Sequence, residues 1–177
     1  MKKLLLFLLV LSSIQFSIAQ TETQLPKDIS ERRHELKLDA IKLLSIPAIE
    51  LNYEYIKDVN QGFGATLLIN MDDENYFEKF SFSPYFRFYF NTSQEYGAKG
   101  FFVKAFTSFY SGRDLDYFLE EQRDDYFDIA IGFAVGQKLI NRSGFVFEYF
   151  IGAGRNLLEN SDETMMAKFG VNVGYRF

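Results

Sequence analysis

Cysteine and tryptophan are absent from this 177-residue chain, and histidine occurs once, at His34. Without cysteine the chain can form no disulfide, no thiolate zinc site, no cysteine nucleophile and no lipid-modified N-terminal cysteine. With one histidine, a serine–histidine–acid triad has a single candidate base. The composition therefore sets aside the disulfide-rich and thiol-dependent classes of protein.

An excess of basic residues and a second long apolar segment are also missing. The formal net charge is −5, and it becomes −7 without residues 1–19, because Lys2 and Lys3 leave with them. Nucleic-acid-binding surfaces are basic, so no nucleic acid is expected as a partner. No segment after residue 19 approaches the roughly 20 apolar residues of a spanning helix. The chain beyond residue 19 is therefore soluble, or it crosses a membrane as strands.

The first 19 residues have the pattern of a secretory signal peptide. Lys2 and Lys3 precede an unbroken apolar run over residues 4–11, and Ser17 and Ala19 stand at the −3 and −1 positions of a cleavage site. Such a segment is too short to act as a membrane anchor. Residues 20–33 are polar and are predicted to form a periplasmic N-terminal linker, with one structured domain over residues 34–177.

Aromatic residues are abundant, with 21 Phe and 11 Tyr, and they favour strands. Apolar and polar residues alternate with period two, which is typical of strands with two different faces. The alternation predicts eight strands, most of them close to ten residues long, over residues 34–44, 48–57, 62–71, 80–91, 100–110, 126–137, 144–154 and 168–177. Strands of about 9–11 residues span a membrane, whereas globular strands usually have five or six.

The polar face of these strands carries both signs of charge in near balance. Its charged members are Glu50, Glu54, Arg87, Lys104, Asp128, Glu148, Lys168 and Arg176, to which the first strand adds Glu35, Lys37 and Asp39. Balance is expected of a narrow interior, where an unpaired charge is costly. The apolar face is almost free of charge, as lipid contact requires. The sequence therefore predicts an all-β, eight-stranded antiparallel up-and-down transmembrane β-barrel with a side-chain-filled lumen. Glycines and alanines on the inward face leave space there for the charged side chains.

Two residues interrupt the pattern. Pro84 lies in the middle of the fourth predicted strand, where it removes a ladder hydrogen bond, so we expect a bulge or a local distortion there. Lys42 falls on the apolar face of the first predicted strand, whose second half alternates poorly. We expect Lys42 to lie near a rim and snorkel, or a bulge to shift the register before it.

The predicted connections differ in charge between the two ends of the barrel. Those expected outside the cell, residues 45–47, 72–79, 111–125 and 155–166, sum to −9; those expected on the periplasmic side, residues 58–61, 92–99 and 138–143, sum to +1. The acidic loops could hold divalent cations that bridge to anionic lipid heads, or they could simply be solvated. The stretch "MDDENY" lacks the glycine and the spacing of a calcium loop.

The chain resembles small eight-stranded outer-membrane β-barrel proteins of Gram-negative bacteria. The signal peptide, the eight alternating strands and the ending "VNVGYRF" carry the resemblance, which covers residues 34–177. "HELKLDAIKLL" followed by "IELNYEYI" resembles the opening hairpin of an uncharacterised barrel family. Tyr175 and Phe177, at the chain end, resemble the C-terminal assembly signal. The resemblance implies location in the cell outer membrane, with outer-membrane lipids and the barrel-assembly machinery as partners.

The function expected from these features is a non-catalytic structural or surface-interaction role. No catalytic, cofactor-binding or metal-binding residue, no cofactor and no small-molecule ligand is predicted. One alternative is an outer-membrane enzyme acting on lipid or peptide, with paired acids among Asp124, Asp125, Asp162 and Glu163; His34 lies at the wrong end for a triad at the outer rim. The other is a small soluble ligand-binding barrel, which would need the opposite facing of the two residue sets.

Overall fold

The fold is a closed, antiparallel, up-and-down barrel of eight strands, as predicted. A computed structural model describes residues 28–71, 78–90, 96–115, 122–158 and 164–177; the side chains of residues 30, 113–115 and 122–125 are outside the description. The strands are β1 (His34–Asp39), β2 (Ala48–Ile56), β3 (Gln61–Asn70), β4 (Phe80–Tyr89), β5 (Gly100–Leu115), β6 (Gln122–Ile140), β7 (Phe145–Asn156) and β8 (Met165–Arg176). In the described ranges, no helix has the length and apolar character of a membrane-spanning helix.

The barrel closes between its first and last strands. Glu35 pairs with Arg176, and beyond the ladder the backbone N–H of Phe177 donates to the carbonyl of His34 at 2.8 Å. Following paired residues from Glu35 around the other strands leads to Met166, ten positions before Arg176. This stagger tilts the strands, and eight strands enclose an interior just wide enough for side chains. The start of β1 and the end of β8 lie at one end of the barrel, here called the terminal end; the opposite end is the loop end.

The prediction of one long strand over residues 34–44 was wrong, because the chain turns into a short helix. Helix α1 (Ala40–Ser45) follows β1 directly, and the Asp39 carboxylate accepts a hydrogen bond from the backbone N–H of Lys42 at 3.0 Å. An aspartate at this position is a favourable N-cap, and "AIKLL" is rich in helix formers. The poor alternation of this segment was therefore a helical pattern at the loop end.

The other strand boundaries shift by a few residues, except at the hairpin of β5 and β6. Residues 111–125 were predicted to form a loop, but the ladder continues through Ser111–Phe127 to Leu115–Gln122, with a register shift between Arg113 and Leu115. At the other end, β6 extends beyond the predicted residue 137 to Ile140. Ladder hydrogen bonds thus continue where the change to polar composition indicated a turn.

Pro84 distorts the wall without forming a bulge. The register between β4 and β5 is the same on both sides of it, with Phe82 opposite Phe109 and Tyr85 opposite Phe106, but the two positions between are unpaired in that ladder. The N–H of Phe90 bonds to β5, so alternate residues of β4, including position 84, direct their backbone groups to the same strand. Since proline has no N–H, the ladder is interrupted locally.

The two faces of the wall are strongly different. Large apolar side chains of every strand lie exposed on the outside, and they include eight aromatic residues: Phe80, Phe90, Phe101, Phe109, Phe127, Phe145, Tyr175 and Phe177. Charged and polar side chains fill the inside together with a few aromatic ones, such as Phe102, Phe106 and Phe150. Glycines make room for them: a Cβ on Gly62 would lie 2.5 Å from a carboxylate oxygen of Glu54, and one on Gly174 would lie 2.5 Å from the Lys37 side chain.

Candidate functional site: the charged interior

The terminal half of the interior is filled by seven charged side chains, which we call the charge cluster. Three carboxylates and four cations contact one another there, and none is more than 1 % exposed: Glu35, Lys37, Glu54, Arg87, Lys138, Glu148 and Arg176. They come from six strands, β1, β2, β4, β6, β7 and β8. Each points inward because it occupies the polar parity of its strand.

Lys37 lies among all three carboxylates of the cluster. Its Nζ donates to Glu54 at 2.6 Å, to Glu148 at 3.0 Å and to Glu35 at 3.1 Å. An ammonium has three donors, so its hydrogen-bonding capacity is used completely by these contacts. Lys37 therefore ties neighbouring β2 and distant β7 to β1.

Arg87 makes a two-pronged contact with Glu148 across the lumen. Its two terminal nitrogens donate to the two carboxylate oxygens at 2.7 and 2.9 Å, and Nη1 also donates to Glu54 at 2.9 Å. Tyr89 donates its hydroxyl to Glu54, and Asn172 donates to Glu148 at 2.8 Å. Such bidentate, charge-assisted bonds are among the strongest hydrogen bonds in proteins.

Lys138 belongs to the cluster but was predicted in a periplasmic turn. Its Nζ donates to Glu35 at 2.7 Å and to Glu54 at 2.9 Å, and it is fully buried. The sequence carried a signal for it, since the inward row Asp128, Ala130, Gly132, Ala134 and Gly136 reaches position 138 in the next step. Lys138 was predicted in a turn, whereas its place in this alternating row puts its side chain inside the barrel.

Arg176 links the cluster to a plug at the terminal end. Its Nε donates to Glu35 at 2.8 Å, and its terminal nitrogens donate to the carbonyls of Tyr96, Gly97 and Ala98 at 2.6–3.2 Å. Gly97 and Ala98 both adopt positive φ, and Ala98 is fully buried. The turn between β4 and β5 is thereby held beneath the cluster.

The loop half of the interior is organised differently. Lys104 has its Nζ 3.8 Å from the ring centroid of Phe150, and the rings of Tyr85 and Phe106 lie at 5.2 and 5.8 Å. It forms no ion pair with any residue that the structure describes. Its Nζ faces aromatic rings instead, in the geometry of a cation–π contact.

Three serine hydroxyls form a second group in the loop half. Ser83 and Ser108 are 2.8 Å apart, Ser81 lies 3.3 Å from each, and the Nζ of Lys168 approaches Ser81 at 3.3 Å. Lys168 also pairs with Glu78 at 3.1 Å. Burial raises the pKa of the Glu78 carboxyl, but the adjacent Lys168 outweighs burial and holds that pKa below its usual range. An ammonium paired with a carboxylate is a poor base, so this group does not provide an activated serine.

Lys42 lies on α1 at the loop end of the barrel. Its Nζ contacts Glu50 at 2.5 Å, Asp39 at 3.4 Å and the carbonyl of Phe169 at 3.4 Å. Burial lowers the pKa of Lys42, but the carboxylates of Glu50 and Asp39 outweigh burial and hold that pKa above its usual range. The expectation that Lys42 lies at a rim is confirmed, although its head turns inward to these acids.

The predicted lumen residues therefore separate into groups. Glu54, Arg87, Glu148 and Arg176 lie in the charge cluster. The other four are elsewhere in the loop half: Glu50 with Lys42, Lys104 with its rings, Lys168 with Glu78, and Asp128, whose carboxylate accepts from the backbone of Ile129 and Leu158. Strand parity predicts that a residue points inward, but the stagger of the strands decides which residues meet.

The remaining predicted residues lie at the terminal end or outside the description. Phe177 is exposed and stacks on His34, with ring centroids 5.9 Å apart, and Tyr175 is also exposed. His34 contacts the Tyr53 hydroxyl through Nδ1 at 2.8 Å. Asp162 and Glu163, and the side chains of Asp124 and Asp125, lie outside the described part, as do residues 1–27 and most of the acidic loops.

In the described part of the chain, no group of three or more histidine or carboxylate side chains is placed to hold a metal ion. Comparison with known proteins adds no family: no protein-family model, no curated protein and no solved structure matches this chain.

Proposed function

We propose that this chain is an exported, non-catalytic β-barrel of the outer membrane of a Gram-negative bacterium, with a structural or surface-interaction role. One observation carries the proposal: the barrel has a cluster of charges inside and most of its large apolar side chains outside. A water-soluble protein rarely exposes so large an apolar surface, whereas a lipid-facing wall consists of one. A soluble ligand-binding barrel would need the opposite facing.

The filled interior favours a structural role over transport. The charge cluster occupies the terminal half, and the turn of Tyr96, Gly97 and Ala98 lies beneath it. Water and solutes would have to displace ion pairs that are buried on all sides. The proposal therefore excludes a general diffusion pore and leaves the loop end as the surface for interactions.

The chemistry of the described residues favours a non-catalytic role over an enzyme. His34, the one histidine, lies on the outer surface at the terminal end, bonded to Tyr53. Lys168, the base nearest the serine hydroxyls, is paired with Glu78. Neither arrangement provides the base-activated nucleophile that a lipase, acyltransferase or protease needs.

Substitution of the outer wall tests the proposal. Ile151 is 67 % exposed and pairs with Val135 and Phe169 near the middle of the wall. In a lipid-facing wall Ile151→Lys should cost about 2–4 kcal/mol of folding free energy in lipid vesicles. Leu44→Lys, on exposed α1 at the loop end, is the matched control and should cost about 1 kcal/mol or less.

The measurement is urea unfolding in phospholipid vesicles, combined with a gel of boiled and unboiled protein. We expect a heat-dependent mobility shift for the wild type and a large loss of stability for Ile151→Lys alone. Stable, folded protein in buffer without detergent, with Ile151→Lys harmless, would refute the membrane location.

The assembly role of the chain end has its own test. Deleting Phe177 should lower the yield of folded barrel in the outer membrane, because the machinery would lose the terminal aromatic residue. Deletion of Gln24 from the polar segment of residues 20–33 serves as a length-matched control. Unchanged yield without Phe177 would remove the assembly role and leave the barrel itself unaffected.

A further inference from the structure

A cavity of about 250 Å³ lies at the terminal end, and Arg176 of the charge cluster forms part of its lining. Its lining includes Arg32, Arg33, Lys57, Asp58, Tyr96 and Arg176. This volume corresponds to about eight water molecules. Four of its lining side chains are cationic and one is acidic, so the cavity is electropositive although the chain as a whole is acidic.

The cationic side chains of the cavity differ in what they can offer a ligand. Arg176 is buried and already donates to Glu35 and to three carbonyls, so it contributes charge more than free donors. Arg33 and Lys57 are exposed. Arg33 donates to the Lys57 carbonyl at 3.3 Å, and Lys57 donates to the Gln61 side-chain oxygen at 3.3 Å. Neither forms an ion pair with another described residue.

Asp58, the acidic residue of the cavity, forms no ion pair with Arg33 or Lys57 in the described part of the chain. The Asp58 carboxylate accepts the backbone N–H of Asn60 at 2.8 Å, which holds the turn between β2 and β3. An anion entering the cavity would therefore meet two exposed cationic groups whose existing hydrogen bonds are long and to neutral acceptors. Arginine and lysine together are the usual recognition groups for phosphate.

The cavity borders the apolar outer wall. The Nζ of Lys57 lies 5.9 Å from the ring centroid of Phe63, which is exposed on the outside, and Tyr53 is exposed on the same face of β2. A phosphate held by Lys57 and Arg33 would thus have apolar surface directly beside it. This is the arrangement that a phospholipid headgroup and its acyl chains require.

We infer that the cavity is a binding site for a phosphate group, held by Arg33 and Lys57 at the boundary of the apolar wall. The group would come from a phospholipid of the adjacent leaflet or from a soluble phosphate. The phospholipid source rests on the proposed membrane location, whereas the site itself depends only on the lining residues.

The experiment compares three forms of the mature chain in mild detergent: wild type, Arg33→Gln/Lys57→Gln, and the control Lys79→Gln/Arg155→Gln. The control removes the same charge from the loop end. Native mass spectrometry follows the binding of phosphatidylglycerol, and inorganic phosphate is titrated separately and as a competitor. We expect phosphatidylglycerol to bind the wild type and the control alike, and the cavity variant at least about tenfold more weakly, because two charge-assisted hydrogen bonds are lost.

The outcomes distinguish a phospholipid from a soluble phosphate, and they test the phosphate site separately from the membrane barrel. Competition by inorganic phosphate only at high concentration supports a phospholipid; tight binding of inorganic phosphate by itself supports a soluble source. Equal binding of phosphatidylglycerol and of phosphate to the wild type and the cavity variant would overturn the site. The heat-dependent gel shift, measured on the same samples, reports the membrane barrel independently of either result.

Discussion

Two buried lysines, one in each half of the barrel interior, have opposite kinds of neighbours. Lys37, in the terminal half, donates to three carboxylates within 3.1 Å. Lys104, in the loop half, faces three aromatic rings and pairs with no carboxylate among the described residues. The same residue type therefore contacts carboxylates in one half and ring faces in the other.

This difference indicates that the two halves of the interior have different roles: one fixes which strands pair, and the other fills the lumen. The ion pairs of the charge cluster join strands that are distant in sequence, such as Arg87 of β4 with Glu148 of β7 and Lys138 of β6 with Glu35 of β1. Buried ion pairs add little net stability over apolar packing, but a misplaced partner is costly. The cluster is thus suited to fix the strand register, while the aromatic residues around Lys104 mainly fill the lumen.

Replacing Lys37 by methionine should have the largest effect on the unfolding free energy. The same replacement at Lys104 provides the comparison. Lys37→Met leaves three carboxylates without their shared cation and should cost about 3–5 kcal/mol. Lys104→Met loses cation–π contacts worth about 0.5–2 kcal/mol, but it also removes a buried charge, so the net change should stay within about 1 kcal/mol.

Urea unfolding of both variants in the same vesicles provides the measurement. Equal losses of unfolding free energy would mean that Lys104 depends on the distant charges of the lumen as much as Lys37 depends on its contacts. The comparison between the two halves would then fail.

The sequence predicted the inward row well and the contacts within it poorly. Period-two alternation placed Glu54, Arg87 and Glu148 inside, and the structure agrees. It could not show that Arg87 meets Glu148, because that contact depends on the stagger accumulated over several hairpins.

Two errors had local physical causes. Lys138 was predicted in the turn of residues 138–143, but β6 continues through it, and its partners are buried carboxylates. Residues 40–44 were predicted as part of the first strand, whereas the N-cap of Asp39 and the helix propensity of "AIKLL" favour a helix there. In both cases a tertiary or capping contact decided what the residue pattern left ambiguous.

The ion pair of Glu78 and Lys168 should give the loop end an acid-sensitive contribution of intermediate size. The pKa of Glu78 is below its ordinary value in the folded chain, so this group stabilises the fold above the unfolded-state pKa near 4.5. The stabilisation is lost as the pH falls through the lower, folded-state pKa.

Unfolding free energy measured from pH 7 to pH 3 for wild type and Glu78→Gln should show this. We expect the gap between the two curves to be constant at neutral pH and to narrow below about pH 4.5. A gap that is independent of pH throughout this range would mean that the carboxylate does not contribute through its ion pair with Lys168.

The smallest effect is expected at Pro84, which lies between the two halves of β4. Inward residues on its loop side are Ser81 and Ser83, and those on its terminal side are Tyr85 and Arg87. Pro84→Ala restores an N–H that faces β5, where the ladder is interrupted, and one added hydrogen bond is worth about 0.5–1.5 kcal/mol. We expect this gain in unfolding free energy, with a slowly exchanging amide at position 84 that donates to the Thr107 carbonyl. If the interruption instead lets the two halves pack independently, Pro84→Ala should be neutral or destabilising. The double variant with Lys37→Met then distinguishes the cases: the two changes in unfolding free energy should be additive if the halves are uncoupled and non-additive if they are coupled.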